Sequence, residues 1–346
     1  FPPLVNYLPN RMYLTSDNAP PPMNPKLQKC IEEITFPFYA EHENDIRAGV
    51  DVISQVNVEY LPDKYKKALK TSQLQVLGTF DLVEAIKQSD QHLNEFIPGY
   101  ETLHHQVRRT ESEIRKIEKD IHELKQQKTR LERSGESIDP LIMKQIGESI
   151  ETFQGMKNEL KKEIPSQWLF EREKFEKLSK DSRSARQKYR RNSDSAYEPL
   201  SQLSAILLQT PMLINMENQL KSIKSIIEDN EPENAMKMIK EIEKSLGEIS
   251  GSSPIKSKIS KVRRALKGNK PDADKALKQW QNGMTIYFQE INWRKLAVNE
   301  LAQPLANYEL LLKYSIGLRV QKKLNKDQAI AVATCKSSHE DISLFF

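Results

Sequence analysis

Residues 103–131 read LHHQVRRTESEIRKIEKDIHELKQQKTRL. Leu103, Val107, Thr110, Ile114, Ile117, Ile121, Leu124, Lys128 and Leu131 fall at alternating steps of three and four, and seven of the nine are apolar. The residues between them are largely Glu, Lys, Arg and Gln. That pattern is the heptad seam of a coiled coil, in which each apolar knob enters a hole on a facing helix. The polar members Thr110 and Lys128 would help set register. The seam predicts a helix over about Tyr100 to Arg133 and demands a partner helix. Ser134-Gly135-Glu136-Ser137 breaks the pattern, and Asp139-Pro140 restarts it with an N-cap followed by a first-turn proline. A second arm then carries Ile142, Ile146, Ile150, Phe153, Met156, Leu160 and Ile164, with Pro165 expected to kink it. Two long amphipathic helices around a short turn predict an antiparallel coiled-coil hairpin over 99–191. If the seam pairs between chains instead, the protein is a homodimer.

Outward from the hairpin the expected organisation is all-α and elongated. Residues 1–25 hold seven of the 18 prolines and read as an extended arm that lies on the body or a partner. Residues 26–98 read as a small, mainly helical head. In it Leu27, Cys30, Ile31 and Ile34 share a helix face that stops at Phe36-Pro37, and Pro98-Gly99 punctuates a later helix. The run Val50, Val52, Val56, Val58 fits a strand by composition and a helix by setting. Residues 192–346 read as a helical bundle. Thr210-Pro211, Glu231-Pro232 and Ser253-Pro254 are expected to start helices, Gly251 and Gly268 to stop them, and Asn325 with Gln328 to form a capping box. The terminal Leu344-Phe345-Phe346 is expected to dock.

The composition suits exposed helices with a large surface relative to core: 38% hydrophobic, 29% charged and 11 glycines in 346 residues. A net charge of +5 is only mildly basic and does not by itself imply nucleic acid. There is no apolar run of about 18 residues that would cross a membrane. The chain opens at Phe1 rather than Met, which is compatible with a removed leader or anchor. Cys30 and Cys335 read as reduced thiols; in an oxidising compartment they would form a disulfide joining the two ends. No N-x-[ST] glycosylation acceptor occurs, which disfavours a secreted eukaryotic origin.

Catalytic and cofactor signatures are missing from the sequence. No G-x-x-x-x-G-K-[ST], G-x-G-x-x-G or G-x-S-x-G is present, and so few glycines leave little scope for a phosphate-cradling loop. His104 and His105 are adjacent on a helix and point about 100° apart, so they do not share an ion. His122-Glu123 lacks the second histidine of a metalloprotease helix, and Cys335 with His339 is two ligands of an incomplete set. No catalytic residue, metal ligand or cofactor is assigned.

Two basic clusters carry the functional expectation. Lys256, Lys258, Lys261, Arg263, Arg264, Lys267 and Lys270 occupy 254–270 without one acidic residue, and Ile255, Ile259, Val262 and Leu266 form a single apolar face. A basic amphipathic helix lies on anionic lipid, occupies an acidic groove or meets phosphates. The second cluster is Arg183, Arg186, Lys188, Arg190 and Arg191. Tyr189 is its lone aromatic, which disfavours base stacking and nucleic acid. The expected function is therefore a non-catalytic scaffold or adaptor, binding protein partners or an anionic membrane through coiled-coil and basic helical surfaces. Alternatives are a bacterial effector on a host actin-like filament or membrane, an extracytoplasmic subunit of an envelope assembly, and a nucleic-acid-binding protein. The compartment is not specified; cytoplasmic or peripheral-membrane placement is favoured.

Overall fold

The computed structural model describes residues 13–14, 17–133, 139–228, 232–267 and 271–335. These residues are 84% helical with no strand, so the protein is all-α. Eleven helices are described: α1 Pro25–Ser54, α2 Asp63–Arg133, α3 Pro140–Glu163, α4 Trp168–Leu208, α5 Thr210–Asn215, α6 Glu217–Glu228, α7 Pro232–Glu248, α8 Ser253–Ala265, α9 Ala273–Glu300, α10 Ala302–Leu312 and α11 Lys326–Ala333. The chain separates into two compact units. One contains residues 1–83 and 188–346, the other 84–187. The sequence pattern separates a head (26–98) from a C-terminal bundle (192–346). The structure places most of both in one unit, because α1 is covered by residues about 300 positions later.

Local sequence explains four of the eleven helix starts. Asn24 and Asp139 cap α1 and α3 through their side chains, each followed by a first-turn proline. Asp272 accepts from Lys275 N at the start of α9. The Asn325–Gln328 capping box of α11 forms in both directions. Gly251 takes φ +74° just beyond α7, the left-handed conformation glycine supplies at a helix end.

Several expected stops are not stops. α1 runs through Pro37, and its buried residues lie on both sides of that proline: Ile31, Thr35 and Phe36 before it, Tyr39, Ile46, Val50 and Ile53 after. An interior proline costs about 3 kcal/mol. Burying each large apolar side chain returns about 1.5–3 kcal/mol, so the packed face outweighs the break. The same face carries Val50 as helix, which settles the strand-or-helix alternative up to Ser54. α2 likewise passes through Pro98, with Val83 and Ile86 buried before it and Tyr100, Leu103 and Val107 after. Pro165 does the opposite: it ends α3, with Ile164 extended at ψ 119°, and a new helix begins at Trp168. Thr210 does not cap α5; it lies inside it and its hydroxyl donates to the Ile206 carbonyl at 3.1 Å. Ser253 opens α8 from within, the capping position being Ser252. The break at 134–137, Glu231, Gly268 and the terminal Leu344-Phe345-Phe346 lie outside the described residues, as do residues 1–12 of the arm. The described part of the arm is docked: Ala19 is fully buried and Gln28 Nε2 donates to the Pro22 carbonyl at 2.7 Å.

One core cluster of the first unit is a sheaf formed by α5 to α9. Leu213, Leu220, Ile223, Ile239, Ile242, Leu246, Ile255, Ile259, Val262, Met284, Tyr287 and Ile291 are buried together. Of the expected stripe, Met212 is half exposed while Met216, Leu220, Ile223 and Ile227 turn inward. Two aromatic polar ends are satisfied there: Trp280 Nε1 donates to Leu220 O at 2.7 Å and the Tyr287 hydroxyl to Ile214 O at 3.2 Å.

In the second unit the seam residues Leu103, Val107, Thr110, Ile114, Ile117, Ile121 and Ile146 are buried. Leu124, Leu131, Ile150 and Phe153 are half-buried, and Ile142 is exposed. Contacts between α2 and the helices after it change in step. Glu118 meets Lys157 at 3.4 Å, the His104 ring lies 5.9 Å from Trp168, and Tyr100 stacks on Phe175 at 4.3 Å. Asp90 then bonds Ser182 at 2.8 Å and Arg186 at 2.7 Å.

The two cysteines are not free thiols. Cys30, in α1, and Cys335, just past α11, form a disulfide with Cα atoms 5.8 Å apart. A spacing of 305 residues conceals this, because only docking α11 on α1 brings the two together.

Candidate functional site

α8 is the element on which the basic expectation rests, and the structure divides its residues sharply. Ile255, Ile259 and Val262 are fully buried and Leu266 nearly so. They pack in the sheaf between α7 and α9. At Gly283 of α9 a methyl group would sit 3.4 Å from both Ile259 Cδ1 and Lys258 Cβ, so α8 lies in van der Waals reach of the α9 backbone there. At Gly247 of α7 it would sit 2.7 Å from Lys256 Nζ, so that lysine lies across α7 where another side chain would stand.

The cations differ in freedom. Arg263 donates to the nearly buried Glu243 at 2.9 Å and ties α8 to α7. Lys261, Arg264 and Lys267 are exposed, and Lys256 and Lys258 half-exposed. Among the described residues none of these five has a carboxylate within 4 Å, and α8 contains no acidic residue. Arg264 Nε bonds only back to Ser260 O of its own helix, at 3.3 Å. Arg263 and Arg264 stand in the last turn, where the helix dipole is negative and favours them. Lys270 lies outside the described residues.

The second cluster does not form one cationic surface. Arg186 is 7% exposed and is held by Asp90 and the Ser182 hydroxyl, the latter at 2.6 Å. Arg190 donates to Pro25 O at 3.1 Å and lies 3.7 Å from the buried Glu32 carboxylate. Arg183 turns back to Ser179 O at 3.2 Å. Lys188 and Arg191 are exposed, as is Arg183. The alternation of basic residues in sequence did not reveal that every fourth one, Arg186 and Arg190, points inward; the acidic partners Asp90 and Glu32 are distant in the chain.

Sequence reasoning also missed a small pocket of the first unit. A cavity of about 40 Å³ is lined by Pro22, Gln28, Glu32, Tyr189, Asp194 and Arg319 among others. It has room for water but not for a substrate. Beside it the Tyr39 and Tyr189 hydroxyls are 3.0 Å apart. Burial pushes both phenols up, Tyr189 to about 12, so neither serves as a base near neutrality. His104 is shifted down, first by burial and then by Arg108. Among the described residues no three His, Cys, Asp or Glu side chains are grouped to hold a metal ion, and no helix is long and apolar enough to cross a membrane.

Compared with known proteins, the chain matches no family model, no curated protein and no solved structure.

Proposed function

We propose that the protein is a non-catalytic adaptor that docks an acidic protein surface through the outer face of α8. One observation carries this reading: five cations on and beside one rigid helix, with no carboxylate within 4 Å among the described residues, above an apolar face that is fully packed. The packed face also chooses between partners. A helix that lies in a membrane buries its apolar side in lipid. Freeing that side here would uncover the facing residues of α7 and α9, at about 1.5–3 kcal/mol for each large side chain. Each cation near an anionic bilayer returns only about 1 kcal/mol. The surface is therefore suited to electrostatic docking without insertion.

Residues 99–191 belong to the same reading as an antiparallel coiled-coil hairpin that spaces or presents the adaptor's surfaces. Its support is the order of contacts: as position rises along α2 from Asp90 to Glu118, the partner position falls from Arg186 to Lys157.

Co-sedimentation with actin filaments, taken as an acidic protein surface, tests the reading against phosphatidylserine vesicles. The protein is compared with a Lys261→Glu, Arg264→Glu, Lys267→Glu variant; Arg263 is spared because it holds Glu243. Pelleting with filaments that weakens with salt and is lost in the variant is expected. Pelleting with vesicles alone would replace the protein partner by lipid, and no pelleting with either would return α8 to a purely structural role.

A second reading, an extracytoplasmic subunit of an envelope assembly, is favoured by the disulfide, since such bonds persist in oxidising compartments. Free thiols in protein alkylated at its native source would sink it.

A further inference from the structure

The two ends of the described chain share a small core of their own. Ala19, Ile31, Leu324, Ala329 and Val332 are buried together, separate from the α5–α9 sheaf. α11 has eight residues. Isolated helices are marginal below about 12–15 residues, so α11 depends on what holds it. Three kinds of contact do. The Asn325–Gln328 box and the bond from Gln328 Nε2 to Tyr314 O, at 2.5 Å, secure its start. Ala329 and Val332 pack its middle. The Cys335 disulfide to α1 secures its end. The arm joins the same assembly through Leu324 N, which donates to Ala19 O at 3.0 Å. Both cysteines are half-exposed, so an external thiol can reach the bond.

We propose that Cys30–Cys335 is a dithiol-sensitive clamp whose reduction releases α11 and the arm residues 17–24 as one local unit, while the α5–α9 sheaf stays folded. The clamp supplies what the short helix lacks. Five buried residues, two of them alanine, give this satellite core little apolar area compared with the sheaf. In the step, a thiolate of the dithiol attacks one cystine sulfur and expels the other as a thiolate. The second thiol of the reductant then attacks the mixed disulfide. Two electrons and two protons pass to the protein, which ends with two thiols, and the reductant ends as a cyclic disulfide.

Amide hydrogen exchange read by mass spectrometry tests the clamp on the whole chain. The samples are the oxidised protein, the protein in dithiothreitol, and a Cys30→Ser, Cys335→Ser variant without reductant. Exchange in 326–335 and 17–24 is expected to rise about tenfold or more on reduction and in the variant. Helices α8 and α9 should remain protected over the same labelling time. The variant separates loss of the bond from any other effect of the reductant. Unchanged protection of 326–335 in both reduced forms would overturn the proposal, as would simultaneous loss of protection in α8 and α9. Two free thiols in the untreated protein would overturn it as well.

Discussion

Arg294 is fully buried and shows how a single side chain can tie a helix, α9, to the turn between α7 and α8. Its guanidinium bonds Glu290 one turn back, at 3.1 Å, and the Ser250 carbonyl at 3.2 Å, just beyond α7. Gly251 gives it room: a methyl group there would stand 2.7 Å from Arg294 Nη2. Such a pair is not a large net gain over apolar packing, but removing one partner leaves a buried charge. Arg294→Ala is therefore expected to cost about 3–5 kcal/mol, read as a lowered denaturant midpoint with the slope retained. A cost below about 1 kcal/mol would mean that Glu290 finds water or another donor. Gly317 makes the same point through the backbone. It has φ +75°, and a Cβ would collide with the Tyr197 side chain.

Between elements, the clearest pairing is that of α2 with α4 in the second unit. Tyr100 stacks between Trp168 and Phe175, and His104 lies against Tyr100 and Trp168. Burial holds His104 below its ordinary value of 6.5. The unfolded chain therefore takes up a proton before the folded one does. As pH falls below about 6.5 the unfolded state is favoured, and stability declines until the folded value is reached. The contribution is fully present above pH 6.5. Lowering pH from 7.5 to 5.5 should thus lower the denaturant midpoint more for the natural protein than for His104→Phe, which keeps an aromatic ring without a titrating proton. Equal shifts in the two proteins would remove His104 as the cause.

At the scale of the whole molecule, the disulfide links positions 305 residues apart. Closing so long a loop restricts the unfolded chain by roughly 5–6 kcal/mol in the chain-entropy account. Reduction should accordingly lower the global denaturation midpoint measurably, beyond the local release of α11, and an unchanged midpoint would show that residual unfolded structure cancels the effect. The net charge of +5 is spread over many helices, and the outer face of α8 carries cations with no acidic residue of its own helix beside them.

Much of the helical architecture was legible in the sequence because it depends on local rules. Asp139-Pro140 and the Asn325–Gln328 box start helices by satisfying nearby N–H groups, and the seam from Leu103 to Ile121 is buried because its spacing follows the helix repeat. The apolar face of α8 and its outward cations follow from the same period. Tertiary structure alone decided the rest. Pro37 and Pro98 do not end helices, because packed residues on both sides of each outweigh one missing hydrogen bond. Arg186 and Arg190 are inward because Asp90 and Glu32, remote in sequence, face them. Cys30 and Cys335 are bonded because α11 docks on α1, and the sequence carries no local signal for a contact across 305 residues.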